Sequence, residues 1–510
     1  MATLIVSPHA SAEQDLAPLS PYAELAGSPD TEKTPTRAEQ IAHTFVLALM
    51  FAAPALLAVR AACVNDPDIW WHLRTGQWMV QHHAVPHFDP FSGPNAGKPW
   101  EPYSWLYELL TFQLFQHFGL AGIVGYTAGM IVAITAALWH LVKRLQADFS
   151  VVVLLIIAAC CSFGRLYTPR PWMFTILFFV LQLDILLHTR KTGKTRELLW
   201  LPVIYALWAN VHIQFVDGLL VLGLAIVETL AGRIGMGIRT RLRLPWLLAA
   251  FAASSVAVMA NPFGWRIYRV AYDLASQPGV MDKIAELQAI PFRNITDFAV
   301  LFLALGAAAA LAWHRRLQIF EVGLLIFAVT LSFRSMRDVW ITATVSAALL
   351  ATTIVGKHAV AVRTPRLSTP AAILGAALMV LGGFRYMQIT NPMLQAQVAK
   401  TYPVDAVNFI RANGYAGPLF NDFNYGGYLI WALRMPVSID GRAAFYGDKA
   451  IDRSVETWNV GPDWAGDPQL PSAGIVVGSV KSALVQMLRI DPRFKLVYED
   501  KVAVVFVARK

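Results

Sequence analysis

Beyond residue 40 the chain is dominated by long apolar runs that short polar clusters interrupt. A helix needs about 20 apolar residues to span a bilayer, or about 17 when short. On that measure eleven windows are expected spans: 41–62, 119–142, 150–166, 172–188, 198–212, 215–231, 245–260, 298–313, 318–333, 339–356 and 370–389. Several are short, and the two windows flanking His212 also fit one broken or re-entrant element. Between the first two windows, SWLYELLTFQLFQHF (Ser104 to Phe118) carries apolar residues at helical spacing. It predicts an amphipathic helix lying on the outer membrane surface.

From Tyr402 onward the apolar runs shorten and turn signals multiply, as in NGYAG, NYGG, IDGR and GPDWAGDP. Pro403 to Ala412 reads as a helix with Gly414 just past its end. GIVVGSV and FKLVYEDKVAVVFV read as strands, the second a hairpin around Glu499–Lys501, with the helix KSALVQMLRI between them. The expected fold class is therefore an α-helical polytopic membrane protein of about 11 transmembrane helices, followed by a small C-terminal α/β domain. Its expected parts are a disordered cytoplasmic tail over 1–40, a transmembrane domain over 41–390 with a first outer loop at 63–118, and the α/β domain over 391–510. The tail is polar and rich in Pro, Ser and Glu, with no apolar core of the kind a cleaved signal peptide needs.

Composition agrees with this reading. Hydrophobic residues make up 56% and charged residues 15%, against about 45–50% and about 25% in soluble domains. The net charge of +9 would by itself raise nucleic acid or an anionic surface as a partner. Its distribution gives a plainer reason. With the N-terminus inside, the cytoplasmic turns hold Lys143 and Arg144, then Arg190, Lys191, Lys194 and Arg196, then Arg233, Arg239, Arg241 and Arg243, then Arg315 and Arg316, then Lys357, Arg363 and Arg366. Each dense basic cluster falls on one side, as the positive-inside rule requires, and no nucleic-acid partner is expected. Cys63, Cys160 and Cys161 offer neither a disulfide framework nor metal-ligand spacing and read as small apolar fillers.

The same topology collects polar groups at the outer ends of the spans. Asp66 and Asp68, in NDPDIWWHLRTGQW, follow the first span directly. Two carboxylates at i and i+2 can share a proton or a divalent cation such as Mg or Mn, although Asn-Asp-Pro also favours an ordinary turn. Trp70, Trp71, His72, Arg74 and Trp78 follow. Tryptophans alone would make an interfacial belt, whereas His72 and Arg74 add donors for phosphate oxygens, and indole faces stack on sugars. Arg165 and Arg170 flank LYTP; Asn210, His212 and Gln214 lie in WANVHIQF; Arg334, Arg337 and Asp338 lie in FRSMRDVW. Snorkelling or local ion pairing explains each singly, while together they can converge on a phosphate headgroup. Asp89, Glu101 and Glu108 are further acids of the first outer loop, and Asp422, Tyr425, Asp440 and Arg442 are the C-terminal candidates to face the cavity or to hold turns. No P-loop, Rossmann glycine pattern, HExxH or GxSxG stands in a convincing context, so nucleotide hydrolysis is not supported.

DPDIWWHLRTGQW, VPHFDPFS and PWEPYSWLYELL resemble the first outer loop of GT-C-fold membrane glycosyltransferases. WANVHIQFVDG, NPFGWRIYR and FRSMRDVW are similar to a bacterial branch of that superfamily, as is the tail with YPVDAVNFIRANG, FNDFNYGGYLIW, PVSIDGR and VYEDKVAVVFV. The resemblance covers most of the chain beyond residue 40. It implies an inverting transferase of the bacterial inner membrane, using a polyprenyl-phosphate-linked sugar as donor and a glycan, lipid or protein as acceptor, with the C-terminal domain in the periplasm. It also implies that the acid after the first span, Asp66 or Asp68 with Asp66 preferred, acts as general base or positions a metal. Oligosaccharyltransferase catalytic subunits are more loosely similar. Their W-W-D-Y-G motif is matched only at Tyr425-Gly426, which leaves a protein acceptor open. An oligosaccharide ligase or polymerase with a diphosphate-linked donor, a lipid transporter and a non-catalytic envelope scaffold are the alternatives.

Overall fold

All eleven apolar windows form helices in the computed structural model, which describes residues 36–61, 64–234, 236, 240–277, 282–313, 318–354 and 368–509. They are α1 (Arg37–Arg60), α4 (Leu120–Leu145), α5 (Phe149–Ser162), α6 (Trp172–Thr192), α7 (Leu201–Val211), α8 (Phe215–Arg233), α9 (Leu244–Val258), α11 (Ile295–Trp313), α12 (Ile319–Arg334), α13 (Val339–Thr353) and α14 (Ser368–Tyr386). Between them lie α2 (Ile69–His82), α3 (Trp105–Phe118) and α10 (Arg266–Ala275). Six of the described helices, α1, α4, α6, α8, α11 and α14, are long and apolar enough to cross a membrane. The chain is a multi-pass membrane protein. The shorter helices have a packing reason: α13 is buried along nearly its whole length, so it meets neighbouring helices α5, α11 and α12 rather than lipid.

The first helix begins at Arg37, ahead of the 41–62 window. Thr36 and Glu39 form a reciprocal cap, with the Thr36 hydroxyl accepting from the Glu39 amide and the Glu39 carboxylate accepting from the Thr36 amide at 2.7 Å. That cap starts α1 at Arg37. Residues 1–35 lie outside the described residues, as do Cys63, Arg239, Arg315, Arg316, Lys357, Arg363 and Arg366.

Charge separates along the bundle. Arg170 precedes α6 and Arg190 sits in its last turn; twenty-one helical residues place them about 30 Å apart. At the Arg190 end, basic groups are matched by buried acids. Arg190 reaches Glu228 at 2.9 Å and Glu321 at 2.8 Å, while Arg144 pairs with Asp184 and Glu197. The acids and aromatics of the segment between α1 and α4 gather at the other end. There α2 and α3 pack tightly because Gly76 has no side chain: a Cβ would overlap the Glu108 carbonyl and Phe112.

The C-terminal region is an α/β domain whose sheet has the order β1 (Leu419–Asn421), β2 (Ile475–Ser479), β4 (Ala503–Ala508), β3 (Phe494–Glu499). β1 runs parallel to β2, and the other two pairings are antiparallel. The expected hairpin and the helices Val404–Ala412 and Ala483–Ile490 are present. NYGG, expected as a turn, lies inside a helix, α17 (Phe423–Ala432), which follows α15 (Asn391–Val398) and α16 (Val404–Ala412). The Asp422 carboxylate accepts from the Asn424 amide at 2.9 Å and caps α17. Its two glycines admit close neighbours: a Cβ on Gly426 would strike the Ile439 carbonyl, and one on Gly427 would come within 2.7 Å of the Pro67 carbonyl. The C-terminal domain therefore seats directly on the loop that carries Asp66 and Asp68.

Arg442 fastens that seat. It is buried and bonds Asp440 of its own domain through Nε and Nη2, at 2.8 and 2.7 Å, and Asp89 of the first outer loop through Nη1 at 2.7 Å. Trp100, Phe445 and Phe91 surround the guanidinium at 4.6, 5.0 and 5.4 Å. Removing one member of such a buried cluster leaves uncompensated charge. Arg442→Ala is expected to cost about 3–5 kcal/mol and to release the C-terminal domain, seen as protease cleavage after Tyr386 at lower temperature than in the parent chain.

Candidate active site

Asp66 and Asp68 sit in the turn between α1 and α2. The Asp68 amide donates to Asp66 Oδ1 at 3.0 Å, and the Asp68 carbonyl accepts from the His72 amide at the start of α2. Both carboxylates meet one guanidinium. Arg170 Nε bonds Asp66 Oδ2 at 2.6 Å, Nη1 bonds Asp68 Oδ2, and Nη2 lies 3.6 Å from Glu286.

Arg170 is held in place by its own backbone. Pro169 and Pro171 flank it and restrict the chain to extended and helix-starting geometry. The Tyr107 hydroxyl donates to the Pro169 carbonyl, the Tyr126 hydroxyl donates to the Arg170 carbonyl at 3.2 Å, and Trp172 lies 5.1 Å below the guanidinium.

Three carboxylates around one cation favour uptake of a proton. Burial pushes both Asp66 and Asp68 upward against the pull of Arg170; for Asp68, the nearby charges of Asp66 and Glu286 add to the rise, to about 7. Asp68 is thus poised to exchange a proton near neutrality.

All this lines a cavity of about 860 Å³ between the membrane bundle and the C-terminal domain. On the opposite side of Asp68 from Arg170, Gly441 closes in so tightly that a Cβ there would overlap the Asp68 carboxylate. Asp440 and Arg442, the residues on either side of Gly441, are the ones the buried cluster fixes.

His72 and Glu108 form a second buried pair at 3.2 Å in the cavity wall. Burial pushes His72 well below its ordinary range, helped by Arg170 and His212, and pushes Glu108 well above its own, against the pull of Arg442. Both shifts disfavour a charged pair, and Glu108 Oε2 has no hydrogen-bond partner among the described residues. Trp71 lies against His72, with ring centres 3.6 Å apart and planes tilted by 33°.

His212 and Arg337 lie farther along the wall. Thr175 accepts from the Trp208 indole at 2.8 Å and shares a hydrogen bond with His212 Nδ1 at 2.8 Å, which orients the imidazole. Arg337 lines the same cavity, has no carboxylate partner among the described residues, and keeps a buried Nε without a hydrogen-bond partner. Arg170 and Arg442 are both in direct ion pairs, whereas Arg337 makes none among the described residues and feels Asp217 only at longer range.

Eleven of the expected residues therefore meet: Asp66, Asp68, Trp71, His72, Glu101, Glu108, Arg170, His212, Arg337, Asp422 and Arg442. Others do not line the cavity. Trp70 packs edge-on against Tyr428 and Tyr402, Arg74 donates to Gln77 at 2.6 Å, Tyr425 donates to the Val502 carbonyl at 2.9 Å, and Arg334 ends α12 away from the wall. Arg165 pairs with buried Asp297, and Asn210 accepts from the Trp105 indole at 2.7 Å. Glu286 was not foreseen, because the loop KIAELQ has no motif; Trp100, which walls the cavity and covers Arg442, stood in the PWEPYSW stretch.

The Asp pair was also the candidate ligand set for a divalent cation. Such an ion needs its oxygens gathered within about 2.0–2.6 Å of one point. Asp66, Asp68 and Glu286 instead address three separate nitrogens of a flat guanidinium. Among the described residues no group of three His, Cys, Asp or Glu side chains is arranged to hold a metal ion. As arranged here, the acids do not fit a divalent ion.

No family model matches the chain, and no curated protein matches it. Solved structures do. The oligosaccharyltransferase of Archaeoglobus fulgidus, crystallised with a tethered acceptor peptide, superposes with a TM-score of 0.57 at 13% identity, over 87% of this chain and 69% of that one. ArnT from Cupriavidus metallidurans is also similar, with TM-scores of 0.48 for the apo form and 0.46 for the form bound to undecaprenyl phosphate. Identities there are 15% and 14%, and each match covers 90% of this chain and 97% of that one. The chain has the fold of the GT-C membrane glycosyltransferases.

Proposed function

We propose that the chain transfers a sugar, with inversion, from a polyprenyl-phosphate donor to an envelope glycan, lipid or protein acceptor at the outer face of a bacterial inner membrane. One observation carries the reading: a buried acid pair on one guanidinium and a second arginine, with no carboxylate in ion-pair contact among the described residues, share one cavity at one end of a membrane bundle. The basic turns of the opposite end support a cytoplasmic N-terminus and eleven crossings, with the C-terminal domain outside.

In this reaction the Asp68 carboxylate takes the proton from an acceptor hydroxyl. The acceptor oxygen bonds to the anomeric carbon as the carbon–oxygen bond to phosphate breaks. The bonding pair leaves on the phosphate, where Arg337 and the His212 imidazole stabilise the developing charge. The proton remains on the acid pair and passes to solvent. Asp68 is the stronger choice for base because its affinity for a proton, near pH 7, suits proton exchange at working pH. Trp71, beside it, offers a stacking face for the sugar. A lipid donor accounts for a reacting centre at the membrane edge with no nucleotide motif.

Asp66→Asn and Asp68→Asn, made separately, are tested for transfer from a series of polyprenyl-monophosphate sugars. At least one is expected to lose about 10²–10⁴-fold in rate; full activity in both rejects the mechanism.

The pH profile carries a sign. The ionised form of Asp68 is the active one, so the rate is expected to fall as pH drops through about 7. Asp66→Asn removes a neighbouring negative charge that raises Asp68, so in that variant the acid limb moves to lower pH.

Arg337→Ala is expected to lower turnover by about 10²–10³-fold, with Arg337→Lys between the two, measured under saturating acceptor. An unchanged rate removes Arg337 from the phosphate site.

A further inference from the structure

We propose that the Arg170 guanidinium takes the place of a divalent cation at the reacting centre, clamping Asp66 and Asp68 in a fixed arrangement so that transfer proceeds without a metal. This rests on the transferase reading given above and names the charge that its acid pair works against.

The geometry supports it in three ways. Arg170 Nε and Nη1 each take one carboxylate, Asp66 at 2.6 Å and Asp68 beside it, while Nη2 faces the half-exposed Glu286 at 3.6 Å. A metal would draw the oxygens to a point; the planar guanidinium holds them apart along its edges. Next, the cation cannot swing away. Prolines stand on both sides of it, two tyrosine hydroxyls bind the carbonyls of residues 169 and 170, and the Trp172 ring lies below. Finally, the approach is already closed on the far side of Asp68, where Gly441 leaves no room for even a methyl group. The pair therefore has a permanent positive partner of single charge, which leaves one of the two acids free to take up a proton. A divalent ion in the same place would hold both acids ionised and coordinated.

Arg170 acts through Asp66 and Asp68, so it is a positioning residue, and its test needs readouts that a merely structural role would not move. The full-length protein in detergent is titrated with Mn²⁺ and followed by electron paramagnetic resonance, and transfer is assayed with and without excess EDTA. The parent chain is expected to bind no stoichiometric Mn²⁺ and to keep its rate within twofold in EDTA. Arg170→Ala, which frees the acids, is expected to lose transfer at least 100-fold in EDTA and to acquire a bound-Mn²⁺ signal that Asp66→Asn abolishes. Arg170→Lys, which keeps the charge and loses the fork, is expected to remain insensitive to EDTA at reduced rate.

A parent chain that binds one Mn²⁺, lost in Asp66→Asn or Asp68→Asn, overturns the proposal. So does transfer that collapses in EDTA and returns with Mn²⁺. The spectroscopic arm uses the folded parent chain and needs no substrate. If no polyprenyl donor supports transfer, the transferase reading fails while the claim about Arg170 is still decided.

Discussion

One guanidinium between two carboxylates organises the site. Asp66 and Asp68 lie two residues apart in a turn that water would otherwise fill, and burial there disfavours both charges. Arg170 offsets that cost for the pair without cancelling it. The arrangement keeps two acids together in a wall that is partly apolar and leaves a proton to exchange. Its rigidity comes from elsewhere in the chain: from prolines before α6, from Tyr107 on α3 and from Tyr126 on α4. Three segments remote in sequence thus agree on where one positive charge stands.

The C-terminal domain belongs to the same construction. Gly427 lies on Pro67 and Gly441 on Asp68, each at a distance no side chain tolerates. Arg442 then ties Asp440 to Asp89 across that contact, inside a ring of aromatic side chains. The domain is a wall of the cavity, and its contribution to Asp68 is exclusion of water rather than charge. That exclusion is one cause of the acid's raised proton affinity.

The bundle was legible because apolar periodicity over 15 residues or more survives any packing; even the short helices α7 and α13 fall inside the expected windows. The acids at the mouth of the first span were legible too, since a charge at a membrane edge is expensive without a role. Partnership was not legible. Arg170 and Arg337 look alike as outer-end arginines, yet one is saturated by acids and the other is not. Trp70 and Trp71 are neighbours, but on α2 they point to different sides, one into the packing with Tyr402 and Tyr428 and the other to the cavity. NYGG reads as a turn by composition; its glycines are there for close packing, and a capping aspartate makes the helix. Apart from the Asp422 cap, such outcomes depend on contacts between residues far apart in the chain, which no local pattern records.

The clasp between Asp89 and Arg442 joins residues 353 positions apart. A ribosome at about 5–20 residues per second finishes the first outer loop long before it reaches the segment that closes over it. Until then the acid pair has no lid, and water reaches it freely. The wall of the cavity against Asp68 is therefore completed late in synthesis, after helices α1 to α14 have been made.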